Sequence, residues 1–180
     1  YLLPRAARPV AGVGPDNPPA ALAVFLRSED RIEADHPAIR QLAGELTAGL
    51  HDPLARARAL FDFVVHHVAY NEHSPYRNQG ALAALRHAEG VCEEYASLFV
   101  ALARAAGIPA RVVNGFAPND GYGYPLQPGP EGRRSLDGLR HQWAEFYVAG
   151  RGWIPVDPTF SAAAGNSHDW FGHFPTANHI

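Results

Sequence analysis

The chain has 180 residues, 15 Lys+Arg against 18 Asp+Glu, a formal charge of −3, and 47% hydrophobic against 18% charged residues. That balance suits one globular domain and argues against a disordered chain or a broad basic footprint for nucleic acid. Every basic residue is arginine, which excludes a lysine Schiff base and a phosphate loop ending in Gly-Lys, and the single cysteine excludes a disulfide framework and a multi-cysteine zinc site. No apolar run approaches the roughly 20 residues that span a bilayer, so no membrane segment is expected in this chain. With no Met, the sequence is expected to be a trimmed or processed product that need not include a targeting segment.

Residues 1–24 read as an extended lead-in, because Pro4, Pro9, Pro15, Pro18 and Pro19 remove backbone donors, with a short extended segment near Ala23 to Leu26. Residues 25–180 read as a single domain. Pro37 suits a first helical position, and Ile39, Leu42, Ala43, Leu46 and Leu50 follow at helical spacing. Asp52-Pro53 opens a second helix with Leu54, Leu60, Phe61, Val64, Val65 and Val68 as its apolar stripe. A loop through Asn71, Pro75 and Asn78 leads to a short helix around Ala81 to His87. The clearest element follows: Val91, Tyr95, Leu98, Phe99, Leu102 and Ala106 mark one face of a helix from about Cys92 to Ala106, capped by Gly107 and stopped by Pro109. Strands are expected at Ala110–Phe116, His141–Ala149 and Gly152–Val156, with a long loop from Ala117 to Arg140 and an irregular tail from Pro158 onward. Helices followed by an antiparallel sheet make an α+β arrangement.

A lone cysteine is by default a small buried hydrophobe. Cys92, however, stands where a loop meets a helix start, so free N–H groups and the positive end of the helix dipole favour its thiolate, the nucleophilic form. Glu93 and Glu94 oppose this if they face the sulfur, and a cationic partner is required. His66, His67 and His73 match no standard ligand spacing, so no metal site is expected, and His168, His173 and His179 are scattered in the tail. His141 opens a strand whose hairpin partner ends at Asp157. If Ala149, Gly150 and Arg151 form the turn, Val148 faces Gly152, and Asp157 falls opposite Trp143, on the face of His141 and one diagonal away. Such neighbours are about 7–8 Å apart at the backbone, within reach of a carboxylate and an imidazole. A two-residue turn would put them on opposite faces unless a bulge intervened. Asp157 would then orient His141, and His141 would activate Cys92. Taken alone, Asp157 reads first as a cap or turn residue before Pro158; taken with Cys92 and His141 it reads as the partner of the histidine.

Three blocks in order resemble the transglutaminase-like superfamily, specifically bacterial members described as cysteine proteases. They are Gly-Val-Cys92-Glu-Glu-Tyr-Ala-Ser-Leu-Phe running on to Phe116, His141-Gln-Trp-Ala-Glu-Phe-Tyr, and Gly-Trp-Ile-Pro-Val-Asp157-Pro-Thr. Residues 30–70, ending in Val68-Ala-Tyr70, resemble the helical lead-in. The resemblance implies a papain-like fold, a Cys92-His141-Asp157 triad, no cofactor, and chemistry through a thioester formed from a peptide or protein amide, glutamine included. Water as acceptor gives hydrolysis and an amine gives transamidation. The Cys92 backbone N–H is a natural oxyanion donor. The tryptophan that supplies a second donor in animal transglutaminases has no counterpart before Cys92, which leaves Tyr70, Asn78 and Gln79, with Tyr70 preferred. Trp143, Tyr122 and Tyr124 are candidates for the substrate cleft. The alternative is a catalytically silent fold acting as a protein-binding module. A reactive cysteine without disulfides slightly favours a reducing cytoplasm.

Overall fold

The computed structural model describes residues 20–117, 139–163, 169–174 and 179. Most of the expected lead-in, through residue 19, lies outside them. Residues Ala20–Leu26 form a 3-10 helix, not the extended segment expected there. The tighter coil buries Leu22 and brings the Phe25 ring edge-on to Trp153 at 4.9 Å.

Helix α1 spans Pro37–Leu46 and α2 spans Pro53–His67, each with proline in its first turn. His36 caps α1 through Nδ1, and the Asp52 carboxylate caps α2 by accepting from Ala55 N–H at 3.0 Å. Helix α3 covers Ala81–His87, as its sequence predicts. Two short strands escaped sequence reading: β1 (Ala69–Tyr70) and β2 (Glu89–Gly90) pair in parallel, setting Tyr70 beside Gly90. Two residues each are too few for a strand pattern to emerge.

Helix α4 spans Cys92–Ala105, and every residue from Glu93 to Arg104 is buried. Its sequence predicts one apolar face; the structure encloses it all round, between α1, α2 and α3 on one side and the sheet on the other. Even Arg104 is inside, donating to the carbonyls of Ala110 and Arg27 and pairing with Glu29 at 2.7 Å. The helix ends in a Schellman motif: Gly107, with φ of +77°, donates to Arg104 O, and Ile108 donates to Ala103 O.

Strands β3 (Ala110–Phe116), β4 (Arg140–Val148) and β5 (Gly152–Val156) form an antiparallel sheet in the order β3-β4-β5. Val148 pairs with Gly152 and Ala144 with Val156, the register set by the three-residue turn expected from the sequence. The core lies between α4 and the sheet, where Phe99 meets Phe146 and Phe61. The tail is not wholly irregular: α5 covers Pro158–Ala163 because Asp157 caps it and Pro158 supplies a ready-made first helical φ. A second cluster of Phe160, Trp170 and Phe174 packs beside it.

The approach to α4 is tight. Glu94 is fully buried and folds back, its carboxylate accepting from Val91 N–H at 3.0 Å and Gln79 N–H at 2.9 Å. This is half of a capping box, and it lies against Gly90: a Cβ there would meet Glu94 Cγ at 2.4 Å and Cβ at 2.6 Å. Glu93 turns to Ser97, whose hydroxyl donates to it. Burial, then the hydrogen bond and charge of Glu94, push the Glu93 carboxyl up to about 8, so near neutrality it keeps its proton.

Two outcomes follow from this packing. Gly90→Ala should lower unfolding free energy by about 2 kcal/mol in urea titration, as an overpacked site does. A Glu93→Gln variant should melt above the wild type at pH 8. A raised carboxyl pKa makes ionisation work against folding from its ordinary value of 4.5 up to about 8, so the gap should close as pH falls to 4.5.

Candidate active site

Cys92 is the first residue of α4, half-buried and with a free thiol. First-turn N–H groups of a helix have no acceptor within the helix, so the local field at its start is positive. The two neighbouring glutamates do not cancel that arrangement, because one carboxyl is spent on the backbone cap and the other on Ser97.

His141 is the second residue of β4 and Asp157 follows directly on β5. The strand register leaves them diagonal on one face, and His141 Nε2 lies 2.6 Å from Asp157 Oδ2. The ring is held flat between Phe160, stacked at 4.5 Å, and Trp143, near-parallel at 6.1 Å. With Nε2 engaged by the carboxylate, Nδ1 is the nitrogen left to Cys92. Burial pulls the His141 pKa down, but the charge and hydrogen bond of Asp157, and then those of Cys92, outweigh it and raise it to about 9. Burial likewise pushes Asp157 up, yet His141 and then His179 bring it down to about 2. The pair is therefore an imidazolium and a carboxylate through the neutral range.

Asp157 also does what a residue before proline commonly does. Its Oδ1 accepts from Phe160 N–H at 3.0 Å, three residues on, capping α5. One oxygen of this carboxylate thus caps α5 while the other meets His141.

Tyr70 stands next to the helix entry through the β1–β2 pair. Its side chain is 51% exposed, its hydroxyl lies 3.5 Å from Glu72 Oε1, and its phenol pKa is raised by partial burial and by the charges of Glu72 and Cys92. Trp143 is 7% exposed, packs edge-on against Phe174 and His179, and lies near-parallel to the His141 ring. Tyr122 and Tyr124 lie outside the described residues.

At α2, His66 Nδ1 contacts Asp62 O, and His67 stacks on Phe63 and bonds to Leu85 O. His179 of the tail contacts Asp157 Oδ2 at 2.8 Å, a neighbour that no local pattern announces because the contact spans 22 positions. One nitrogen each of His141 and His179 and one carboxylate oxygen of Asp157 lie within 4.8 Å of one another. The hydrogen bonds among them account for that convergence.

Among curated proteins, the chain is 32% identical over 131 residues to a protein-glutamine gamma-glutamyltransferase of Pseudomonas aeruginosa, covering 71% of this chain and 19% of that one. It is 30% identical over 128 residues to the kyphoscoliosis peptidase of Mus musculus, covering 69% and 18%. The chain thus spans about a fifth of the length of the curated relatives it matches. Among solved structures, the periplasmic domain of TgpA from Pseudomonas aeruginosa superposes with a TM-score of 0.63 at 29% identity, over 83% of this chain and 52% of that one. A Cytophaga hutchinsonii protein of the same fold gives 0.62 at 23% identity, over 83% and 50%. That the TgpA domain is periplasmic leaves the cytoplasmic expectation without support, and no helix among the described residues is long and apolar enough to cross a membrane. The transglutaminase-like superfamily matches residues 40–158, a stretch that includes Cys92, His141 and Asp157, and the chain belongs to that superfamily.

Proposed function

We propose that this domain is a thiol-dependent amide hydrolase or acyltransferase acting on peptide or protein amides through a Cys92 thioester. The observation that carries this reading is the buried His141–Asp157 contact of 2.6 Å, in a chain whose single cysteine opens helix α4. Cys92 sulfur attacks the carboxamide carbon as its thiolate, the thiol proton residing on His141. The tetrahedral oxyanion collapses, the C–N bond breaks, and His141 Nδ1 gives its proton to the leaving amine. Water or a primary amine then attacks the thioester, His141 takes the incoming proton, and the thiolate departs. Asp157 fixes the ring and supports its positive charge without taking a proton itself.

The Cys92 backbone N–H is one oxyanion donor on this reading, and Tyr70, set beside Gly90, is the favoured source of a second. The two curated relatives are named for the two possible acceptors, an amine for the glutamyltransferase and water for the peptidase. Nothing in the mechanism requires a cofactor.

A glutamine-bearing peptide incubated with and without a primary amine separates the two acceptors by mass spectrometry. Cys92→Ala should give neither product; turnover by that variant would overturn the mechanism. His141→Ala should lower kcat/KM by about 10²–10⁴-fold. Because the leaving amine takes its proton from His141, kcat/KM of the wild type should fall as pH rises through about 9. Asp157→Asn removes the charge that holds that proton, so this alkaline limb should move to lower pH.

A further inference from the structure

We propose that His179 is a positioning residue of this site, a second imidazole that holds the Asp157 carboxylate in place and limits its pull on His141. The inference rests on the reading of the site given above and adds a residue to it.

Asp157 has no exposure to solvent, so every lone pair it satisfies is satisfied by protein. Oδ1 takes the Phe160 N–H. Oδ2 takes two imidazoles at once, His141 at 2.6 Å and His179 at 2.8 Å. The His179 side chain is only 2% exposed. Its ring is caged by aromatic neighbours: Phe174 stacks at 4.0 Å, Trp143 stands edge-on at 4.9 Å, and Phe160 and Trp170 lie at 5.3 Å and 5.4 Å. Packing, not hydrogen bonding alone, therefore sets the direction in which Nε2 points. Nδ1 is buried and has no partner among the described residues, so within them the ring's polar engagement is with Asp157.

A carboxylate oxygen shared between two donors is a weaker acceptor for each. His179 thus does two things: it stops Asp157 from rotating away from His141, and it draws off part of the negative charge that Asp157 offers to His141. The titratable groups facing Asp157 are His141 from β4 and His179 from the tail, and Cys92 of α4 adds its charge to the surroundings of His141.

The test uses His179→Phe, which keeps a ring in the cage and removes the donor, and His179→Gln, which restores an N–H donor. In His179→Phe, the His141 ring resonance followed by NMR should titrate at a higher pH than in the wild type. Its kcat should drop about tenfold with KM within about twofold, the loss of one hydrogen bond to a charged group. His179→Gln should recover both, and melting temperatures should confirm that both variants fold. If His179→Phe folds and the His141 titration stays in place or moves to lower pH, or kcat of an active enzyme is unchanged, the assignment is overturned. The titration decides the role of His179 even if the wild type turns over no amide, a result that would count against the acyl-transfer reading alone.

Discussion

Burying a carboxylate beside an imidazole is the constraint that the rest of the molecule answers. An ion removed from water costs several kcal/mol unless its lone pairs are met with good geometry. Asp157 meets that condition through contacts from three separate parts of the chain, namely strand β4, the first turn of α5 and the tail. Each is secured by something nonpolar: the sheet by its packing on α4, α5 and the tail by the Phe160–Trp170–Phe174 cluster. The linkage to folding runs in two directions. The raised pKa of His141 stabilises the fold fully below its ordinary value of 6.5, and that contribution is lost as pH rises through about 9. The lowered pKa of Asp157 stabilises it above 3.8, and that contribution is lost as pH falls through about 2. Both operate in full between 3.8 and 6.5.

The start of α4 resolves a conflict visible in the amino-acid order. Two glutamates directly after a nucleophile would ordinarily oppose its ionisation. Here Glu94 is consumed as a cap, pressed so closely on Gly90 that no larger residue fits, and Glu93 keeps its proton. The acidic pair thus adds less negative charge at the helix entry than its sequence suggests.

Much of this was legible beforehand because it is local. Proline at helix starts, Asp52 as a cap, Gly107 as a terminator and the alternation of β4 each act within a few residues, and the elements fell where those signals put them. The hairpin register was legible too, since turn length and pleat parity determine it. What escaped was long-range. The burial of α4 on all sides, the covering of Trp143 and the arrival of His179 at Asp157 depend on how distant segments pack, and no periodicity encodes that. The β1–β2 pair is too short to show a pattern, and α5, at 6 residues, is too short to show a helical stripe.

The turn at Ala149–Arg151 carries a consequence of its own. Unless a bulge or a longer loop absorbed it, a one-residue change there would shift the β4–β5 pairing and turn Asp157 to the far side of the sheet while leaving every residue of the site in the sequence. The segment that looks least concerned with chemistry thus sets the parity on which the Asp157–His141 contact depends.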